Sequence, residues 1–178
     1  MIDEEQARAY LESIRWPDQG GCCPHCGGSG PRYRLRPGKE SSTRQGLWRC
    51  GMCRRQFTVT VNTVLEASKL PLTVWIRAVR LLCTRPVGWT VREIARELGI
   101  SHRPAWALTD RIRYAVTQTP FPGGGDGLLP LRAPGKASLY PLPETQALAC
   151  LLAVKPEHRH PLAMERREAF LEQRRTRR

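Results

Sequence analysis

Two C-x-x-C pairs, Cys23/Cys26 and Cys50/Cys53, stand with 23 residues between them and constrain this chain more than any other feature. Each C-x-x-C turn aims two thiolates at one point, and two such knuckles close a tetrahedron around one structural Zn²⁺. The stretch CCPHCGG offers a third thiol, Cys22. Pairing Cys22 with Cys26 gives C-x-x-x-C, a poorer match to the paired knuckle, so Cys22 is read as spare. Gly27 follows the first pair, where a positive φ is useful and glycine adopts it freely.

A disulfide framework and a redox C-x-x-C are the rival readings. The seven cysteines are an odd number. The start, MIDEEQARAY, has neither the basic end nor the apolar core of an export signal. A cytoplasmic location is therefore expected, where disulfides are rare. A redox pair belongs in a βαβ context, which this sequence lacks. Cys83 and Cys150 fall in apolar helical runs and read as small buried hydrophobes.

The chain has 178 residues and a net charge of +13, an excess that points to a polyanionic partner. The charge is concentrated. Between Pro31 and Thr60 stand Arg32, Arg34, Arg36, Lys39, Arg44, Arg49, Arg54 and Arg55 against the single acid Glu40. A four-thiolate zinc centre carries a charge of about −2, so some flanking arginine is structural. The surplus reads as phosphate-contacting, with Arg34, Arg49, Arg54 and Arg55 the candidates. No stretch is long and apolar enough to span a bilayer, and no membrane role is expected.

Periodicity divides the chain into four parts. Residues 1–66 hold an N-terminal helix over 3–15, capped by Asp3 and Gln6, and a zinc ribbon with strands over 31–36 and 46–61. Ala7, Tyr10, Leu11 and Ile14 form the apolar face of that helix, and Tyr10 and Trp16 are expected in the core. Residues 67–116 read as a three-helix bundle. In it VREIARELGISHRPAWALTDRI has the outline of a helix-turn-helix: Ala95 at the crossing, Gly99 in the turn, and Ile94, Leu98, Ile100, Ala105 and Leu108 as glue. Ser101 is the expected N-cap of the second helix. Pro104 is tolerated as its third residue, where no N–H is needed. The opposite side carries His102, Arg103, Trp106, Asp110 and Arg113. In a DNA-binding pair the start of the second helix enters the major groove, so His102 and Arg103 are the base-edge candidates, Arg103 for guanine. Trp106 is either a packing residue or a contact to sugar or a thymine methyl. Residues 117–143, rich in proline and glycine, read as a linker. Residues 144–178 read as one or two short helices and a basic tail. The fold class expected is thus small α+β: helix, ribbon and three-helix bundle, then a largely irregular C-terminal part.

The series RWPDQGGCCPHCG, WRCGMCRRQFTVTVNTVLEASKLPL and VREIARELGISHRPAWALTDRIR resembles the N-terminal region of zinc-ribbon insertion-sequence transposases of the DDE class. The resemblance covers about residues 3–115. It implies zinc at the four cysteines, and recognition of transposon-end DNA by ribbon and helix-turn-helix together. The catalytic domain of that family uses two metals held by converging acids. Here the one aspartate after Asp110 is Asp126, inside GGGDG, so catalysis is not carried over. The expectation is a non-catalytic, sequence-specific binder of double-stranded DNA, nucleoid-associated, acting as a regulator or transposon-end binder. A protein partner is expected through the C-terminal region; the oligomeric state is not readable. The alternative is a zinc-ribbon protein–protein adaptor. His158 and His160, without further ligands, read as surface residues.

Overall fold

A computed structural model describes residues 2–17, 21–35, 45–118 and 136–154. Helix α1 spans Glu4–Arg15. Its capping box is as the sequence predicts: Asp3 Oδ1 accepts from the Gln6 N–H at 2.8 Å, and the Asp3 N–H donates to Gln6 Oε1 at 3.0 Å. Such a cap contributes about 1 kcal/mol. Ala7 and Leu11 are fully buried, with Tyr10 and Ile14 packed beside them.

The ribbon is an antiparallel sheet in the order β1 (Arg32–Leu35), β2 (Leu47–Cys50), β3 (Gln56–Phe57). Its register pairs Arg34 with Trp48 and Tyr33 with Arg49, and on the next strand Trp48 with Phe57 and Arg49 with Gln56. Directly paired residues share a face. One face therefore carries Arg32, Arg34, Trp48 and Phe57, and the other Tyr33, Arg49 and Gln56. The first turns toward α1, where Trp16 packs edge-on against Trp48 and Phe57. Glu12 of α1, itself buried, accepts from Trp48 Nε1 at 3.0 Å.

The strand expected over 46–61 is shorter than its alternation suggests. The second knuckle interrupts it at 51–55, and beyond Phe57 the chain enters turns through Ala67. Phe57 and Val59 are still buried. Backbone turns replace the ladder: the Val61 N–H donates to the Thr58 carbonyl and the Thr63 N–H to the Thr60 carbonyl, each at 3.2 Å, and Thr63 Oγ1 donates to the Thr60 carbonyl as well. Asn62, at φ 59°, adopts the left-handed conformation that asparagine tolerates best.

Helices α2 (Leu72–Thr84), α3 (Val91–Leu98) and α4 (His102–Gln118) form the expected bundle. Pro71 cannot cap α2 with its side chain. Glu4 does so from α1, accepting from the Leu72 N–H at 2.9 Å and the Thr73 N–H at 3.3 Å. Ribbon and bundle are joined by this bond and by one continuous apolar core.

The stretch 117–143 departs from the linker reading at both ends. Helix α4 continues through Gln118, and Lys136–Ala137 forms β5, antiparallel to β4 (Trp89–Thr90). The Leu139 N–H donates to the Leu82 carbonyl at 2.9 Å, and Ala137 and Leu139 are buried. The bundle needs this cover over Leu82 and Trp89. Residues 119–135 lie outside the described set. Helix α5 (Glu144–Ala153) is likewise no loose appendage: it packs against α1, α2 and α4, with Ala147, Leu148 and Leu151 fully buried. No helix among the described residues is long and apolar enough to cross a membrane. The basic tail, His158, His160 and Asp126 lie outside the described residues.

Candidate metal centre and basic surface

Two turns of the same build carry the cysteines. In the first, the Gly27 N–H donates to the Cys23 carbonyl at 2.9 Å; in the second, the Arg54 N–H donates to the Cys50 carbonyl at 3.0 Å. Backbone N–H groups also point at sulfur, His25 to Cys23 Sγ at 3.4 Å and Cys53 to Cys50 Sγ at 3.5 Å. Donors placed there stabilise thiolates. Gly27 and Arg54 occupy equivalent positions, at φ 70° and 59°.

The sulfurs of Cys23, Cys26, Cys50 and Cys53 all lie within 4.8 Å of one another. Cys23–Cys53 and Cys26–Cys50 are each 3.8 Å apart. A tetrahedron with metal–sulfur bonds of about 2.3 Å has edges of about 3.8 Å, so the set fits zinc. Electrostatics agrees. The Cys53 N–H draws the Cys50 thiol down to about 7. At Cys53 the Arg55 N–H also favours the thiolate, but burial and the sulfurs of Cys50, Cys26 and Cys23 push it up to about 11. Four thiolates at these separations need a dication to ionise together. With all four positions filled by protein, the zinc is structural and leaves no place for substrate.

Cys22 is exposed and outside the cluster. Cys22→Ser is expected to leave one zinc per chain, whereas Cys23→Ser should lose it; metal content after gel filtration reads both. Cys150 is buried and Cys83 partly so, its thiol pushed up to about 11 by burial.

The arginines singled out by sequence are not on one surface. Arg34 lies on the α1 side, 3.8 Å from Glu12 and over the Trp48 ring, in a groove of about 670 Å³ that Trp16 and Arg32 also line. Arg49, Arg54 and Arg55 are exposed. Arg36, Lys39 and Arg44 fall outside the described residues. On α4, Ser101, His102 and Arg103 are exposed, and the Ser101 carbonyl accepts from the Ala105 N–H as an N-cap residue does. Trp106 is 39 % exposed on the same side. Arg113 does not belong with them: it is half-buried and donates through Nη2 to the Lys136 carbonyl. It serves to hold β5 against the bundle. The α3–α4 pair is otherwise built as its sequence predicts, with Gly99 at φ 67° closing α3 and Ile94, Leu98, Ala105, Leu108 and Ile112 buried between the helices and the core. A second capping box, Thr90 with Glu93, starts α3; its T-x-x-E spacing was visible in the sequence. Tyr33 and Met52, both largely exposed, carried no signal in the sequence.

Residues 2–56 match a family described as the transposase zinc-ribbon domain. No curated protein and no solved structure matches the chain.

Proposed function

We propose that these residues bind double-stranded DNA with sequence preference and without catalysis, as a transposase-derived end binder or regulator in the cytoplasm. The observation that carries this reading is the start of α4. Ser101, His102 and Arg103 are exposed there, on a helix whose other side is buried against α3 and the core. A helix so backed can enter the major groove as a rigid body. Arg103 suits the O6 and N7 acceptors of guanine, and Ser101 and His102 suit neighbouring edges or phosphate. Arg49, Arg54 and Arg55 on the ribbon supply sequence-independent phosphate contacts. The match of residues 2–56 to a transposase domain supports a nucleic-acid partner. The non-catalytic part is proposed for residues 1–178 alone, among which Asp126 is the one aspartate beyond Asp110.

Binding of the full zinc-loaded chain to selected duplexes, followed by anisotropy across a salt series, tests the reading. Arg103→Ala should cost about 1–3 kcal/mol at one base pair and relax specificity there. Arg55→Ala should weaken all sequences alike and reduce the salt slope by about one unit. No duplex affinity at low salt would sink the reading. It would turn attention to a protein adaptor, for which Val87 and Tyr140 offer exposed apolar surface.

A further inference from the structure

The outward face of the ribbon sheet carries a row across three strands, Tyr33, Arg49 and Gln56, set by register. All three are exposed, Tyr33 at 57 %. Beside the row lies a cleft of about 240 Å³ lined by Tyr33, Leu35, Arg49, Cys50, Gly51 and Arg54. Gly51 is what lets the tyrosine ring sit there: a Cβ on it would stand 3.3 Å from Tyr33 Cε2 and 2.9 Å from the Pro31 carbonyl oxygen.

Arg54 adds a second, independent observation. The equivalent position in the first knuckle is Gly27, which adopts its left-handed conformation without strain. Arg54 holds nearly the same φ and has a Cβ to accommodate. The knuckle therefore carries an arginine where glycine is the easier fit, and that arginine lines the cleft beside an exposed aromatic ring.

We infer that this face is a binding site for an unpaired nucleobase of a DNA strand, stacked on Tyr33, with its phosphates held by Arg49 and Arg54. The inference rests on the DNA-binding reading and adds a second kind of contact to it. Fully paired DNA offers base edges in its grooves; a frayed or tailed end also offers a base face. Aromatic rings beside cationic side chains take up such faces with little sequence preference. The segment that builds the face is strongly cationic, with eight arginines and lysines against one acid between Pro31 and Thr60.

The test compares a blunt duplex with the same duplex carrying a short unpaired thymine tail, using the full zinc-loaded chain. Stacking of one base should raise affinity about 5- to 150-fold. Tyr33→Ala should erase that gain and keep blunt-duplex affinity, while Tyr33→Phe should retain the gain, since stacking needs the ring and not the hydroxyl. Arg54→Gly should raise the thermal midpoint, by relieving strain, and weaken binding to both duplexes. Zinc content and circular dichroism confirm that each variant is folded. Equal wild-type affinity for tailed and blunt DNA would overturn the inference and leave the DNA-binding reading standing. So would loss of blunt and tailed binding alike on Tyr33→Ala. Absence of binding to either duplex by the wild type would remove both.

Discussion

Stripping the metal should unfold the ribbon. A structural zinc contributes roughly 10–16 kcal/mol of apparent binding energy in small zinc-dependent modules, whereas whole domains are stable by only about 5–15 kcal/mol. The ribbon has little else to hold it. Its three strands span four, four and two residues, and its apolar centre is Trp16, Trp48 and Phe57 against α1. Chelation, or Cys50→Ser, is therefore expected to separate these rings and shift tryptophan fluorescence toward that of solvated indole. The effect should reach further, because Ala7 and Leu11 of α1 belong to the shared core and Glu4 caps α2. Acid should act in the same direction. Protons then compete with zinc for all four sulfurs. A zinc-free chain with unchanged tryptophan emission and circular dichroism would refute this account.

What the sequence shows and what it hides follow from range. Each C-x-x-C knuckle, the Asp3/Gln6 cap and the Gly99 turn are local devices complete within a few residues, so they are legible, and the repetition of the knuckle pairs the two across 23 residues. The alternation in FTVTV is also real, but the ladder stops at Phe57, and beyond it the alternation records burial of Val59 rather than pairing. Successive backbone turns take the hydrogen bonds that a strand would have made, Val61 to Thr58, Thr63 to Thr60 and Glu66 to Thr63. Strand β5 is two residues long, and its partner Trp89 lies far back along the chain; no local period can announce it. The basic surface was legible as charge and not as faces. Arg34 and Arg113 read alike with Arg49 and Arg103 until register and burial put one beside Glu12 and the other beneath Lys136. Tyr33 became a candidate only when the register set it outward beside Arg49.

A large effect of a single side chain outside the metal centre should come from α5, which the sequence places in a largely irregular C-terminal part. Leu148 and Leu151 are fully buried, and the helix packs against α1, α2 and α4 at once. Removing most of such a side chain costs about 2–5 kcal/mol, from lost transfer energy and the cavity left behind. Its polar tether is a weaker hold. Arg80 donates to both Glu144 oxygens, at 2.8 and 3.2 Å, but the arginine is 60 % exposed, and an exposed pair contributes about 0–1 kcal/mol. Urea denaturation of the zinc-loaded chain should therefore show Leu148→Ala destabilised several times more than Glu144→Gln. Ending the chain after residue 135 removes β5, the Leu139–Leu82 bond and all of α5 together, and should leave the bundle unable to fold cooperatively. A truncated chain with the full-length midpoint, or Leu148→Ala within about 0.5 kcal/mol of wild type, would mean that the bundle is complete at α4 and that α5 rests on its surface.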